Sequence, residues 1–233
     1  MKKTNTVLVI PDIHFPAHHL DVFEFLKAVQ KKYKPNIVVN LGDEIDAAGL
    51  GNWDQNPDQP SPGDELKESI KYLKILYKIF PVVKVCVSNH TDRIYRKPFS
   101  AGIPKTLLKS YAEILEAPKG WEWRDHWEID GVIYEHGEGF SGQQGALKAA
   151  QANMQSTVIG HLHSHAGIQY YANSKHLIWG FNAGCLIDKS NAAFNYGKHI
   201  KAKPILGIGL VEDGTPRFIP MKLLPNGRWS KKL

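Results

Sequence analysis

Five short apolar segments of this sequence are each followed within a few residues by Asp, Asn or His side chains, and this repeated pattern limits the fold more than any other feature. The segments span residues 6–10, 37–39, 82–87, 132–134 and 157–159. Their length and their content of β-branched residues predict buried strands. In an open α/β sheet, side chains that follow the carboxyl ends of strands meet at one edge. The sequence therefore predicts an α/β fold with a functional site at that edge.

Helical patterns separate these strands. Asp21 and Asp64 are predicted N-caps of two helices, the first with apolar residues at helical spacing up to Val29 and the second with an apolar stripe that ends near Phe80. Further helices are predicted over residues 104–116 and 144–154. Two hairpins are predicted at 167–172 with 176–182 and at 205–211 with 216–222, the latter turning at residues 212–215. Residues 47–63 are rich in Gly and Pro and predict a long loop.

Composition excludes several classes of protein. The chain has 233 residues, 42% of them hydrophobic, which is typical of a globular protein, and we interpret residues 1–233 as one domain. It has no apolar run near 18 residues, so no membrane span is expected, and its N-terminus does not resemble a signal peptide. We therefore expect a cytoplasmic protein. The two cysteines, Cys86 and Cys185, are expected to be reduced, packed thiols.

The formal net charge of +6 and the pI near 9.1 favour anionic partners such as phosphates or nucleic acid. Many of the lysines are spread over the predicted helices, and a solvated helix face is the preferred interpretation because nucleic-acid footprints usually cluster. These lysines are Lys27, Lys31, Lys32, Lys34, Lys67, Lys71, Lys74 and Lys78.

The side chains at the five strand ends are metal ligands or proton-transfer groups by type. A single His beside a strand is most often structural, but five such coincidences at one edge favour a site. Residues two apart in an extended segment face the same way. We therefore expect Asp12 and His14 to point at one common centre, and His161 and His163 likewise. The candidates, in chain order, are Asp12, His14, Asp43, Asn89, His90, His136, His161 and His163.

These motifs, in this order, resemble the calcineurin-like metallophosphoesterases, in particular compact members from bacteriophages and bacteria. The family pattern runs D-x-H, G-D-x-x-D, G-N-H-D/E, a later His, and G-H-x-H. Here it is matched by Asp12-Ile13-His14, Gly42-Asp43-Glu44-Ile45-Asp46, Ser88-Asn89-His90-Thr91-Asp92, His136, and Gly160-His161-Leu162-His163. The match extends over residues 12–163, about two thirds of the chain.

The resemblance implies a sandwich of two mixed β-sheets flanked by helices, and a dinuclear metal centre. One ion would be bound by Asp12, His14, Asp43 and His163, and the other by Asp43, Asn89, His136 and His161. Asp43 would bridge the two ions. His90 would be the catalytic histidine near the substrate phosphate, and Asp46 is expected to orient a ligand.

Two divalent ions about 3.5 to 4 Å apart explain these residue types, because together they acidify a bridging water to hydroxide and hold phosphate oxygens during an in-line displacement. Mixed carboxylate, amide and imidazole ligands favour Mn²⁺, with Fe, Zn²⁺ or Ni²⁺ as alternatives. His90, held protonated, could stabilise the transition state or donate a proton to the leaving oxygen.

Two departures from the family pattern bear on the function. The acid that usually follows the motif histidine directly is displaced to Asp92, which leaves open whether Asp92 orients His90. Ala47 stands where the protein serine/threonine phosphatases have arginine, which disfavours a phosphoprotein substrate. With the basic charge, this favours a phosphodiester, and a nucleotide or nucleic acid is compatible. The alternatives are a phosphomonoesterase or protein phosphatase, and a catalytically silent metal-binding scaffold.

Lesser candidates remain open. Arg93 and Arg96 could clamp a phosphate or form surface ion pairs, and Trp53 could stack on a base or anchor its loop. His165 could line the pocket. The other histidines have no spacing that favours metal ligation: His18, His19, His126, His176 and His199.

Overall fold

A computed structural model of the chain describes residues 5–51, 59–188 and 203–233. Its strands are β1 (Thr6–Ile10), β2 (Ile37–Asn40), β3 (Val83–Cys86), β4 (Trp121–Arg124), β5 (His126–Ile129), β6 (Val132–Glu135), β7 (Thr157–Ile159), β8 (Gly167–Ala172), β9 (Leu177–Asn182), β10 (Gly207–Glu212) and β11 (Thr215–Pro220). Its helices are α1 (Val22–Tyr33), α2 (Pro62–Ile79), α3 (Arg93–Ser100), α4 (Tyr111–Ile114) and α5 (Gly145–Asn153), with 3₁₀ turns at Ala48–Leu50 and Lys105–Leu107.

The strands form two mixed sheets. The first has the order β11-β10-β1-β2-β3-β4. Strands β1 to β4 are parallel to one another, β10 is antiparallel to β1, and β11 is antiparallel to β10. The second has the order β5-β6-β7-β9-β8, with parallel pairing at β6-β7 and β7-β9 and antiparallel pairing at both edges. Both predicted hairpins are present, as β8-β9 and β10-β11. The expected pair of mixed sheets is confirmed.

Alternation along β1 shows how the layers are built. Val7 and Val9 belong to a buried cluster that also contains Tyr134 and Phe181 of the second sheet, so this face lies between the sheets. Leu8 and Ile10 point the other way, into the cluster that contains the apolar faces of α1 and α2. On the outer side of the second sheet, Ala146 and Ala149 of α5 pack on Ile159. Helices therefore flank both sheets, as expected.

The prediction of a helix over residues 104–116 is wrong. The region contains the 3₁₀ turn Lys105–Leu107 and the separate short helix α4, while the preceding helix, α3, begins directly after the third motif. Gly102 has a φ of 78°, which ends the helical path. Ser110 then forms a capping box with Glu113 that starts α4 anew. These local signals override the apolar spacing of the region.

The two predicted N-caps have different outcomes. Asp21 does occupy the N-cap position of α1, although its side chain makes no capping hydrogen bond to the helix, whereas the prediction for Asp64 is wrong. α2 begins earlier than predicted, with Ser61 as its N-cap accepting from the Asp64 backbone N–H at 3.2 Å and a proline in the first turn. Asp64 is instead a residue of the first turn of α2.

The predicted loop over residues 47–63 is only partly a loop, because it contains the 3₁₀ turn Ala48–Leu50 at one end and the start of α2 at the other. Trp53 lies outside the described residues. Cys86 and Cys185 are buried free thiols, as expected. Within the described part of the chain, no helix combines the length and apolar character needed to cross a membrane.

Candidate metal centre

Backbone hydrogen bonds hold the first two strand ends together. The N–H groups of Ile13 and His14 both donate to the Asp43 carbonyl, at 3.2 and 2.8 Å, and Leu41 N donates to the Ile10 carbonyl at 2.9 Å. Asp43 N in turn donates to Ser88 Oγ at 2.8 Å, which links the end of β2 to the end of β3. Three successive parallel strands thus deliver their following residues to one place.

The backbone turns sharply at the residues that enter the site. Gly42 has a φ of 98°, and a Cβ there would lie 2.5 Å from the Cβ of Ser88, so glycine is required both by conformation and by space. His14, Asp43 and His161 have φ values of 56°, 50° and 63°, in the left-handed region that non-glycine residues seldom adopt. Strain of this kind is typical of functional sites.

These turns change the prediction based on alternation. Because His161 is left-handed rather than extended, His161 and His163 do not face a common centre. His163 approaches Asp12 and His14, whereas His161 approaches His136.

The first group consists of Asp12, His14, Asp43 and His163, whose ligand atoms lie within 4.8 Å of one another. His14 Nε2 is 3.3 Å from Asp43 Oδ2 and 3.2 Å from His163 Nε2. His163 Nε2 is 3.0 Å from Asp12 Oδ2. Two ligand atoms about 2.1 Å from one ion and at right angles lie about 3 Å apart, so these separations fit a single ion.

The second group consists of Asp43, His136 and His161, with ligand atoms that again lie within 4.8 Å of one another. His136 Nε2 is 3.5 Å from Asp43 Oδ2 and 3.1 Å from His161 Nδ1. Asn89 Oδ1 lies 2.7 Å from the same His136 nitrogen. Asp43 Oδ2 therefore faces both groups, and the eight residues singled out in the sequence include every member of both.

Hydrogen bonds on the far side of two histidines identify the direction of their lone pairs. His136 Nδ1 lies 2.9 Å from the Leu41 carbonyl, which can accept but not donate, so Nδ1 carries the hydrogen. His14 Nδ1 is held in the same way by Asp46 Oδ1 at 2.9 Å. In the neutral ring, Nε2 then presents a lone pair toward the oxygens of Asp43. Either a proton or a metal ion must therefore lie between such a nitrogen and the Asp43 carboxylate, and a divalent ion could replace the proton that His14 otherwise holds there.

Asp12 provides a second observation of this kind. The residue is fully buried, and its Oδ1 has no hydrogen-bond partner among the described residues. Asp12 Oδ2 accepts from the backbone N–H of His161 at 2.6 Å. A buried carboxylate oxygen without a donor is costly, and a divalent ion would remove that cost. The donor set therefore fits a dinuclear metal centre.

Electrostatics in the cluster favour cations. Burial raises the pKa of Asp43, but the histidines around it, His136, His90 and His14, lower it more, so the pKa lies well below its usual value. Burial lowers the pKa of His14, and this is outweighed by Asp43 and Asp46, which raise the pKa to about 10. The carboxylates therefore stay ionised and attract cations, whether protonated histidines or metal ions.

His90 stands beside both groups and is partly exposed. Its backbone N–H donates to Asp43 Oδ1 at 3.2 Å, and its Nδ1 donates to the Asp46 carbonyl at 2.6 Å. Its Nε2 is 3.1 Å from Arg93 Nη2, and Arg93 Nη1 also donates to the Asp46 carbonyl, at 2.9 Å. Because guanidinium can only donate, His90 Nε2 accepts this bond. Asp46, which also contacts His14, therefore orients both histidines.

Asp92 is not part of the cluster. It is exposed, and its carboxylate accepts from the Tyr111 hydroxyl at 2.8 Å, because the turn into α3 directs it away from His90. Asp46 and Arg93 contact His90 instead. Arg96 Nη2 donates to the Leu50 carbonyl at 3.1 Å, so both arginines tie α3 to the segment that follows Asp46. His165 Nδ1 pairs with Ser164 Oγ at 3.1 Å rather than with the groups above.

Of the other histidines, His18 and His19 are buried against backbone carbonyls, and burial lowers the pKa of His18 to about 4. His126 and His176 are exposed, and His199 lies outside the described residues.

The sequence did not identify the layer behind the site. Glu44 is fully buried and accepts from Thr91 Oγ1 at 3.0 Å and from Trp123 Nε1 at 2.9 Å. Ser88 Oγ lies 3.0 Å from the same Thr91 hydroxyl. Thr91 occupies the motif position where the family has an acid, and Glu44 brings a carboxylate to it from the second motif. The only sequence signal for this role is the acid Glu44 directly after Asp43. The motif alone does not show that this acid is buried.

Comparison with known proteins gives the following findings. No family model and no curated protein matches the chain. Among solved structures, it is similar to Yfce, a phosphoesterase from E. coli (16% identity, 98% of both chains covered, TM-score 0.45). It is also similar to a metallophosphoesterase from Sphaerobacter thermophilus (12% identity, 94% of this chain and 89% of the other, TM-score 0.47). A third is Vacuolar Protein Sorting 29 from Cryptosporidium parvum (15% identity, 93% and 96% covered, TM-score 0.42).

Proposed function

We propose that this chain is a metal-dependent phosphoester hydrolase with a dinuclear centre. The observation that carries the proposal is Asp43 Oδ2, which lies within 3.5 Å of histidine nitrogens from both ligand groups. A carboxylate shared in this way is the arrangement expected for a bridge between two ions. Asp12, His14, Asp43 and His163 would hold one ion, and Asp43, Asn89, His136 and His161 the other.

When bound, two such ions supply an acidified water and positive charge for the oxygens of a phosphate ester. Mn²⁺ is the preferred ion for this mixture of carboxylate, amide and imidazole, with Fe, Zn²⁺ and Ni²⁺ as alternatives. The partly exposed members of the two groups, Asn89, His161 and His163, lie on the side from which substrate would approach, whereas Asp12, His14, Asp43 and His136 are buried beneath them.

Besides the metal ions, two side chains of the protein, His90 and Arg93, would contact the substrate phosphate. Their contact at 3.1 Å places a permanent cation and an imidazole side by side at the edge of the metal groups. In hydrolysis, water oxygen bonds to phosphorus, the bond to the leaving oxygen breaks, and that oxygen takes up a proton. A bound phosphate would draw the Arg93 guanidinium from His90 Nε2 to a phosphate oxygen, and His90, then protonated at Nε2, would donate this proton to the leaving oxygen.

A phosphodiester is the preferred substrate class. Ala47, at the position where the phosphoprotein phosphatases have arginine, is buried and has a left-handed φ of 47°. The site thus lacks at that position the guanidinium that would bind the extra charge of a monoester. A nucleotide or nucleic-acid diester also agrees with the basic charge of the chain.

Metal content and hydrolysis test the proposal together. We expect two ions per chain after dialysis against Mn²⁺, hydrolysis of bis(p-nitrophenyl) phosphate, and loss of that activity on chelation with recovery on return of Mn²⁺. Full activity in metal-free protein would contradict the proposal. Two bound ions without hydrolysis of any ester would instead favour a catalytically silent scaffold.

The substrate class is tested by comparing kcat/KM for p-nitrophenyl phosphate, bis(p-nitrophenyl) phosphate and a cyclic nucleotide at fixed Mn²⁺. We expect a diester to be preferred. A preference for the monoester of about tenfold or more, which is about 1.4 kcal/mol in transition-state stabilisation, would overturn the diesterase assignment.

A further inference from the structure

Positive charge in this chain is concentrated in one segment. Residues 93–109 contain five Arg or Lys residues and no Asp or Glu, so they account for five of the six net positive charges. Three lysines of α2 pair with acids, as Lys67–Asp64, Lys71–Glu68 and Lys74–Glu116. The lysines of α1 and α2 are exposed along their helices, as expected, whereas no acid within residues 93–109 offsets the cations there. The five cations are Arg93, Arg96, Lys97, Lys105 and Lys109.

The segment is also unusually exposed. Every residue from 99 to 107 is exposed, including Phe99 at 75%, Leu107 at 75% and Ile103 at 41%. Lys97, Lys105 and Lys109 are exposed and have no carboxylate within 4.0 Å among the described residues. Lys105 is held in place because its ammonium lies 4.6 Å from the ring centre of Tyr95 and 5.2 Å from that of Tyr111.

The segment starts at the candidate metal centre. Arg93 contacts His90, and Arg93, Arg96 and Lys97 are three and four residues apart and thus share one face of α3. Phe99 is six residues beyond Arg93, or about 9 Å along the helix axis. At about 3.4 Å per nucleotide of a stacked strand, that distance is about two to three nucleotides.

We propose that residues 93–109 bind single-stranded nucleic acid next to the phosphodiester that is hydrolysed. The cations of the segment contact the phosphates, and Phe99 stacks on a base. The proposal rests on the proposed function for the position of the scissile bond, but the binding itself does not require hydrolysis. Lysines without a carboxylate partner among the described residues, here Lys97, Lys105 and Lys109, beside an exposed aromatic ring form the combination that binds single strands, since phosphate contacts and base stacking act together. A single strand is favoured over a duplex because a base must be unstacked to reach Phe99.

Binding is measured by fluorescence anisotropy with a labelled oligothymidylate in the presence of chelator, so that the result is independent of hydrolysis. The variants are Lys97→Gln with Lys109→Gln, and Phe99→Ala. The matched control is Lys27→Gln with Lys31→Gln, which removes the same charge from the exposed face of α1.

We expect the Lys97/Lys109 variant to bind about tenfold more weakly, with the slope of log affinity against log salt reduced by about 1.4, and the α1 control to bind far closer to the parent. Phe99→Ala should weaken binding at least about fivefold with an unchanged salt slope, because stacking is not ionic. Circular dichroism checks that each variant is folded.

Several outcomes would overturn the proposal: a parent that does not bind the oligonucleotide, or equal losses in the α1 control. Equal affinity for duplex DNA without a Phe99→Ala effect would also overturn it. So would binding to vesicles that contain phosphatidylserine in preference to DNA, which would assign the segment to a lipid surface. Failure of the proposed function appears separately, as absence of bis(p-nitrophenyl) phosphate hydrolysis while DNA binding persists.

Discussion

Two regions of this molecule bury aspartates against basic side chains, but with different basic partners. In the strand-end cluster, defined here as Asp12, Asp43 and the histidines around them, the partners are imidazoles. In the C-terminal clamp, defined as Asp21 with Arg228 and Trp229, the partner is a guanidinium. The single Nε–H of Arg228 is shared between the two carboxylate oxygens of Asp21, at 3.1 and 2.8 Å. Asp21 also accepts from Trp229 N at 2.8 Å and pairs with Arg228 Nη2.

The type of basic partner determines whether a buried carboxylate is available to a ligand. Arginine is always charged, so the clamp is electrically complete and fixes the C-terminal segment to the start of α1, where Trp229 packs on Phe25 at 5.5 Å. Histidine can be neutral and present a lone pair, so the aspartates of the strand-end cluster are balanced only when a cation, a proton or a metal ion, is bound there. The clamp therefore stabilises the fold, whereas the strand-end cluster can bind a metal ion.

Substitution of the shared carboxylate is the strongest test of this contrast. Asp43→Asn keeps the size of the side chain but removes the charge that faces both ligand groups. We expect bound metal to fall well below that of the parent, with loss of detectable hydrolysis, measured by metal analysis and steady-state rates. Asp92→Asn is the matched control, because Asp92 contacts Tyr111 outside the cluster, and it should retain both. Retention of two ions by Asp43→Asn would remove Asp43 as the bridge.

Removal of the proposed catalytic histidine should separate metal binding from turnover. His90→Ala is expected to lower kcat by about 10² to 10⁴, because a proton donor beside the phosphate is lost, and to leave metal content nearly unchanged. His90 Nε2 lies 4.0 Å from Asp43 Oδ2, farther than Nε2 of His14 at 3.3 Å and of His136 at 3.5 Å. His126→Ala, at an exposed position, is the control. If His90→Ala loses its metal ions, His90 is a ligand and its role is misassigned.

Asp46 should have a smaller effect, because it acts through His14 and His90. Asp46→Ala removes the acceptor that fixes Nδ1 of His14, and we expect a loss of about 10- to 100-fold in metal affinity or activity. Asp46→Asn retains an acceptor oxygen and should recover part of the loss. Equal effects of the two substitutions would show that charge, and not orientation, is what Asp46 contributes.

The strand-end cluster could be predicted from sequence because its information is local. Each ligand follows a short apolar run, and parallel strands bring such ends together whatever the intervening sequence. The clamp could not be predicted in this way. Asp21 has the sequence signature of an N-cap, but Arg228 lies 207 residues away in sequence and offers it a stronger partner than the backbone of α1 does. The role of Glu44 could not be predicted for a similar reason, since its partners Thr91, in the turn after β3, and Trp123, in β4, are 47 and 79 residues away in sequence.

The smallest expected effect concerns the clamp and its dependence on pH. The hydrogen bonds and charge of Arg228 hold the pKa of Asp21 at about 2, against a partial opposing effect of burial. A carboxyl pKa that is lower in the folded state gives stability that is fully present above the unfolded value of about 3.9 and is lost as pH falls through about 2. The Arg228 side chain is 55% exposed, so solvent reduces the contribution, and we expect about 1 to 2 kcal/mol.

Urea unfolding of Arg228→Gln at pH 7, 4 and 3 measures this contribution. The loss in free energy of unfolding relative to the parent should be nearly constant between pH 7 and 4 and smaller at pH 3. Arg217→Gln, which breaks the exposed pair with Glu212 at 2.7 Å, is the control and should cost a few tenths of a kcal/mol at most. Equal deficits for the two variants at neutral pH would mean that the clamp is no more than a surface ion pair, and the contrast between the two regions would then rest on the strand-end cluster alone.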